Sequence, residues 1–144
     1  MSDQRIALVT GANRGIGLEV CRQLAGRGLR VVLTARDPGK GEAAAQQLAR
    51  DGLAVDFCAL DVSDPAAAEG AREWVEARYG RLDVLVNNAA VYLDEGVSIF
   101  DVLPADFEAT LAANLYGPLH LCRAFVPGMR QRGYGRVVNV SSES

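Results

Sequence analysis

"LVTGANRGIG", residues 8–17, carries an apolar run into three glycines and then into helical periodicity. Ile6 to Thr10 is rich in β-formers and stops at a glycine, which reads as a buried strand. From Gly15 the pattern turns helical. Ile16, Val20 and Leu24 recur every four residues, and Gly26 and Gly28 end the helix. Glycine costs order wherever it sits, so Gly11, Gly15 and Gly17 directly after a buried strand require a reason.

The same alternation continues along the chain. Val31 to Ala35 reads as a second strand, Asp37-Pro38-Gly39 as a turn, and Glu42 to Arg50 as a helix rich in alanine and glutamine. Ala54 to Leu60 is a third strand. Asp64-Pro65 opens a helix with proline in its first turn, and Ala67, Ala71, Trp74 and Val75 share one face of it. Leu82 to Val86 is a fourth strand, and residues 91–104 read as a loop. A long helix is expected from about Ala105 to Arg132, interrupted at Pro118 and Pro127, before a fifth strand, Arg136 to Val140. Apolar strands alternating with helices predict a parallel sheet covered on both faces. Right-handed crossovers make it doubly wound, an α/β fold. No repeat, linker or low-complexity segment divides residues 1–144, so one domain is expected.

In such a sheet the first strand-to-helix turn is where a dinucleotide binds. The helix begins with unpaired N–H groups and the positive end of its dipole, which suit a diphosphate. Gly11 permits the tight turn, Gly15 lets the ligand approach the backbone, and Gly17 lets helix and strand pack closely. The spacing here is Gly11-x-x-x-Gly15-x-Gly17 rather than G-x-G-x-x-G, and nothing matches the phosphate loop G-x-x-x-x-G-K-[ST].

Five motifs then occur in order: "TGANRGIG" at 10–17, "LDV" at 60–62, "NNAA" at 87–90, "NLYG" at 114–117 and "VVNVSS" at 137–142. Together they resemble the classical short-chain dehydrogenase/reductase family, in particular its carbonyl-reductase-like members. The resemblance implies a Rossmann sheet of strand order 3-2-1-4-5, with further strands of the family lying beyond this chain. It assigns cofactor contacts to Thr10, Gly11, Asn13, Arg14, Gly15, Ile16 and Gly17. It sets Asp61 and Val62 beside the adenine, and Asn88 and Ala89 near the nicotinamide ribose. Ala90 stands where the family usually has glycine. Asn87 reads as a residue that holds the sheet.

An NAD-specific site has an acid at the end of its second strand, for the ribose 2′-hydroxyl. That strand ends here in "LTAR", so Ala35 stands in the acid's place and Arg36 follows. Arg14 and Arg36 suit a 2′-phosphate, which takes bidentate arginine hydrogen bonds. Asp37 reads better as the start of a turn. The expected cofactor is NADP(H) in preference to NAD(H).

Carbonyl reduction by a nicotinamide needs a hydride, a proton for the new alkoxide, and donors that polarise the carbonyl. The resemblance assigns Asn114 and Ser142 to this machinery, with Ser141 as the nearer-strand alternative. Asn114 has a local physical argument as well. Pro118, four residues on, has no N–H, so in a helix the Asn114 carbonyl loses its usual donor and can accept from water. The family's Tyr-x-x-x-Lys pair is absent. Tyr79, Tyr92, Tyr116 and Tyr134 are followed four residues on by Asp83, Gly96, His120 and Val138, and the only lysine is Lys40. In the family that pair follows the serine, so the expectation is a chain truncated after its fifth strand and inactive alone.

Composition narrows the alternatives. The 144 residues are 49% hydrophobic with a formal net charge of −3, which gives no basic face for nucleic acid. No apolar run approaches the roughly 18 residues of a membrane span, and the N-terminus has no signal-peptide pattern. Cys21, Cys58 and Cys122 lack ligand spacing, His120 has no metal-binding companions, and no metal site is expected. Cysteine usage points to the cytoplasm, and the resemblance implies a small carbonyl or alcohol substrate and homo-oligomerisation through helix 105–132. A non-catalytic NADP(H)-sensing module is the second reading. A methyltransferase-like nucleotide site is a third, disfavoured by Ala35-Arg36.

Overall fold

The structure is a computed structural model that describes residues 4–93 and 96–141. Its core is one parallel sheet of five strands in the order β3-β2-β1-β4-β5. These are β1 (Ile6–Val9), β2 (Arg30–Ala35), β3 (Val55–Ala59), β4 (Val84–Asn87) and β5 (Arg136–Asn139). Leu8 pairs in register with Val32 on one side and Leu85 on the other. Asn87 pairs with Asn139 at the far end of β4. The strand order and the parallel pairing are those expected from the sequence.

Side chains alternate across each strand, and each face buries its own cluster. On one face Ile6, Leu8, Val32 and Leu85 pack against Val75 of α3 (Ala67–Tyr79) and against Leu121, Phe125 and Met129 of α5 (Gly117–Arg132). On the other face Val9, Val31, Leu33 and Val86 pack against Cys21 and Ala25 of α1 (Gly15–Gly26) and Leu48 of α2 (Pro38–Arg50). Cys21 and Cys58 are small buried hydrophobes, as expected, whereas Cys122 is only half-buried. Burial pushes the Cys21 thiol up to about 12, so it stays protonated.

Three boundaries differ from expectation. Asp37-Pro38-Gly39 is not a separate turn but the start of α2. The Asp37 carboxylate accepts from the Lys40 N–H at 3.1 Å, and Pro38 takes a first-turn position where no N–H is needed. Asp64-Pro65 does the reverse. The Asp64 carboxylate accepts from the Ala66 N–H in a local turn, and α3 begins only at Ala67. The long helix is not broken by its prolines. α4 (Pro104–Leu111) runs through a π-helical turn (Ala112–Tyr116) into α5, and Pro127 lies inside α5. The Gly117 N–H reaches back five residues to the Ala112 carbonyl, and Pro118 follows in the first turn of α5. One widened turn therefore absorbs the proline that would otherwise break an α-helical ladder.

Candidate cofactor and active site

The site lies at the carboxyl ends of β1 and β4. Chain order diverges there, with β2 and β3 running to one side and β5 to the other. Thr10 is fully buried, and its hydroxyl closes the gap between the two strand ends. Its oxygen accepts from the Asn88 and Ala89 N–H groups, both at 2.9 Å, and it donates to the Val86 carbonyl at 3.4 Å. Thr10 thus holds the site together from beneath rather than lining it. The Asn88 side-chain amide donates to the carbonyls of Thr10 and Gly11, at 3.2 and 3.1 Å. The glycine loop is pinned to β4 by these contacts before any ligand arrives.

The three glycines serve different demands. Gly11 has φ +58°, and a Cβ there would stand 2.7 Å from the Ala89 Cα. Gly15 has φ +61° and nothing within 4 Å of a would-be Cβ, so its backbone faces open space. A Cβ on Gly17 would meet the Asn88 amide nitrogen at 2.5 Å and the Gly11 carbonyl oxygen at 2.7 Å. Arg14, the N-cap of α1, makes no side-chain capping bond, and the first turn of α1 holds no acid. Its leading N–H groups are left without a side-chain acceptor, an arrangement that fits an external anion.

A cleft of about 650 Å³ opens in front of this loop, bordered by Gly11, Asn13, Arg14, Gly15, Ile16 and Arg36 at one end. Asp61, Val62, Asn88 and Ala89 form its middle, and Val140 and Ser141 its far end. Gly17 and Asn114 stand behind the wall rather than on it. A second cleft, of about 840 Å³ between α1 and α2, shares Asn13, Arg14 and Arg36 with the first. Asp61 is held by an Asx turn, its Oδ1 accepting from the Ser63 N–H at 3.0 Å and the Ser63 hydroxyl at 2.6 Å. Ser142 lies outside the described residues; Ser141, the alternative, is exposed and borders the cleft.

Asn114 sits within the π-turn. Its side chain makes two bonds to a single residue. Oδ1 accepts from the Val91 N–H at 2.7 Å, and Nδ2 donates to the Val91 carbonyl at 2.8 Å. The chain leaving β4 is therefore clamped to the long helix by the Asn114 amide, a role that the backbone-carbonyl argument did not anticipate. Gly117, three residues on, was missed altogether. A Cβ there would stand 3.0 Å from the Val62 carbonyl oxygen, so this glycine lets α5 approach the cleft floor. Its place in "NLYG" was the available signal. Asn87 donates to the Asn139 side-chain oxygen at 2.9 Å, a rung between β4 and β5, and its own buried Oδ1 has no partner among the described residues.

Comparison with known proteins agrees with this geometry. Residues 5–144 match the sequence profile of the short chain dehydrogenases. The chain belongs to that family. It is 46% identical to carbonyl reductase (NADPH) 3 of Homo sapiens across 98% of this chain and 50% of that protein. It is 41% identical to (+)-neomenthol dehydrogenase of Arabidopsis thaliana across 96% of this chain and 53% of the relative. Among solved structures it superposes on a metagenomic short-chain oxidoreductase in complex with NADP, with a TM-score of 0.90 and 40% identity. That match covers 97% of this chain and 63% of the other. An actinorhodin polyketide ketoreductase solved with NADPH gives a TM-score of 0.91 at 35% identity, covering 97% and 54%. The chain spans about half the length of the curated relatives it matches.

Proposed function

We propose that this chain is the NADP(H)-binding part of an oxidoreductase that moves a hydride between nicotinamide and a small carbonyl or alcohol. The observation that carries the reading is the pairing of an uncapped helix N-terminus with two free guanidiniums. Among the described residues Arg14 and Arg36 make no ion pair, although Arg22, Arg30, Arg72 and Arg81 all do. Unpaired arginines at the mouth of a diphosphate cleft favour the 2′-phosphorylated cofactor over NAD(H). The relatives named for NADPH and the neighbours solved with NADP support the same choice.

In this reading the α1 N–H groups and Gly15 hold the diphosphate, Arg14 and Arg36 hold the 2′-phosphate, and Asp61 and Val62 flank the adenine. Asn88 and Ala89 border the nicotinamide ribose. The bound nicotinamide supplies or accepts the hydride. Ser142 orients the carbonyl, and the Asn114 carbonyl, denied a donor by Pro118, holds a water of the proton relay. These 144 residues contain no Tyr-x-x-x-Lys, so the proton donor of carbonyl reduction is missing from them and they do not turn over a carbonyl alone.

Further parts of the proposal concern setting. Exposed Leu115 and Leu119 support self-association through the long helix. Three free cysteines support a reducing compartment, the cytoplasm. Among the described residues no helix is long and apolar enough to cross a membrane, and no cluster of potential ligands could hold a metal ion.

Titration with NADPH and NADH, followed by quenching of protein fluorescence or enhancement of nicotinamide fluorescence, tests the cofactor. NADPH should bind at least tenfold more tightly. Equal or tighter binding of NADH overturns the choice, and robust carbonyl-dependent oxidation of NADPH by these 144 residues overturns their inactivity.

A further inference from the structure

The net charge of −3 hides an uneven distribution. At the amino ends of β1, β4 and β5, the end of the sheet opposite the cofactor cleft, Arg5, Arg81, Arg132 and Arg136 gather around Asp83. Asp83 is buried and already committed. Its Oδ2 accepts from the Ile6 N–H at 2.8 Å, and Arg81 donates to both carboxylate oxygens at 3.0 and 3.1 Å. That pairing answers Arg81 alone. Arg5, Arg132 and Arg136 are exposed and make no ion pair among the described residues.

Neutral groups hold two of these three guanidiniums in place. Arg5 stands 3.9 Å from the centre of the Tyr134 ring and donates to the Tyr134 hydroxyl. Arg132 donates to the Leu82 carbonyl at 2.9 Å. A phenol and a carbonyl restrain a side chain without cancelling its charge, so less freedom is lost when an anion arrives. Arg136 opens β5, its N–H on the Asp83 carbonyl at 2.9 Å. The helix dipole accounts for a cation in the last turn of α5, where Arg132 lies with Arg130. It does not account for Arg5 or Arg136, which lie outside every helix.

The dimensions select the ligand. Three neighbouring strands span about 10 Å, which is too narrow to track a nucleic-acid backbone. The exposed leucines and phenylalanines that could enter a lipid surface lie within residues 93–119 instead. An extended peptide sets alternate side chains about 7 Å apart on one face, a spacing that fits this width. Planar guanidiniums take carboxylates bidentately. We propose that this face docks an acidic segment of a partner protein, a run of Asp and Glu read by Arg5, Arg132 and Arg136. The inference is independent of the cofactor reading, because patch and cleft lie at opposite ends of the strands.

Fluorescence anisotropy of a labelled octaglutamate peptide with the 144-residue chain, at low ionic strength, tests it. The wild type should bind, and affinity should fall steeply with salt. Arg5→Glu with Arg136→Glu should weaken binding at least about tenfold, and Arg136→Glu alone about three- to fivefold. Arg5→Lys with Arg136→Lys should keep most of it. Arg50→Glu, the same change of charge on α2, should leave binding within about twofold. Circular dichroism checks that each variant folds. No binding by the wild type overturns the proposal, as does binding that survives both reversals or falls equally with Arg50→Glu. Displacement of the peptide by 2′,5′-ADP would put it in the cofactor cleft and also overturn it. Tighter binding to phosphatidylserine vesicles, or to a single-stranded oligonucleotide of equal charge, overturns the choice of an acidic protein segment.

Discussion

The two sides of the sheet finish differently. The β3-β2-β1 side is closed. Val31, Val32 and Leu33 of β2 are fully buried under helices on both faces. The β5 side is open. All four residues of β5 are exposed, and Val137 and Val138 remain 39% and 46% accessible. The first side also holds the glycine loop and the Asp61 turn, both fixed by hydrogen bonds within this chain, and the unpaired Arg14 and Arg36. The second side holds the alternative serine and a stripe of exposed apolar residues along α4 and α5, including Leu103, Phe107, Leu115 and Leu119. The loop and turn proposed to hold the cofactor are thus fixed within one half, whereas the half that borders the far end of the cleft leaves apolar side chains exposed.

The contrast can be broken most sharply by truncating the core. Leu33→Ala, on the closed side, should cost about 2–5 kcal/mol, the usual range for a fully buried leucine. Val138→Ala, on the open side, should cost well under about 1 kcal/mol. Urea unfolding of both variants gives the comparison. Similar losses would mean that β5 is as well covered as β2.

A second test sharpens the claim that the glycine loop is preset by its contacts with β4. Gly17→Ala drives a methyl into the Asn88 amide and the Gly11 carbonyl. We expect a loss of about 1–3 kcal/mol in stability, as for other overpacked sites. NADPH affinity should fall at least tenfold, because the loop must move to relieve the clash. Retained affinity would show that the loop tolerates displacement.

The smallest expected effect lies at the amino ends of the strands, away from the cleft. Asp56 accepts a hydrogen bond from Tyr79 and two from Arg30, at 3.1 and 2.6 Å. Burial raises its pKa, but the hydrogen bonds from Tyr79 and Arg30 outweigh this and hold the carboxyl below the usual range. A depressed folded-state pKa contributes stability above the ordinary carboxylate value, and this is lost as pH falls through the folded value. Asp56→Asn should therefore lower stability near neutrality by up to about 1 kcal/mol and flatten the loss between pH 5 and about pH 3. Thermal melts across that range check it. An unchanged acid limb would remove Asp56 from the account.

The sequence reading recovered what periodicity and chain order control. Five apolar runs alternating with helices determine the sheet, and the joint motifs mark the cleft. What it could not recover depends on contacts between distant segments. The π-turn is a compromise between Pro118 and the pinning of Asn114 to Val91, and no local pattern reports it. Gly117 and the two-point grip of the Asn114 amide became visible only once α5 was set beside Val62 and the end of β4. The start of α2 was read as a turn, although Asp37-Pro38 has the residues of a cap followed by a first-turn proline. The same pair type at Asp64-Pro65 makes a turn instead, because there the cap bond closes within two residues.

A crystal of the chain grown with NADPH tests the central claim most directly. The account predicts diphosphate density against the N–H groups of Gly15, Ile16 and Gly17, with the 2′-phosphate between Arg14 and Arg36. A cleft left empty at saturating NADPH, or a cofactor whose diphosphate lies elsewhere, would contradict it.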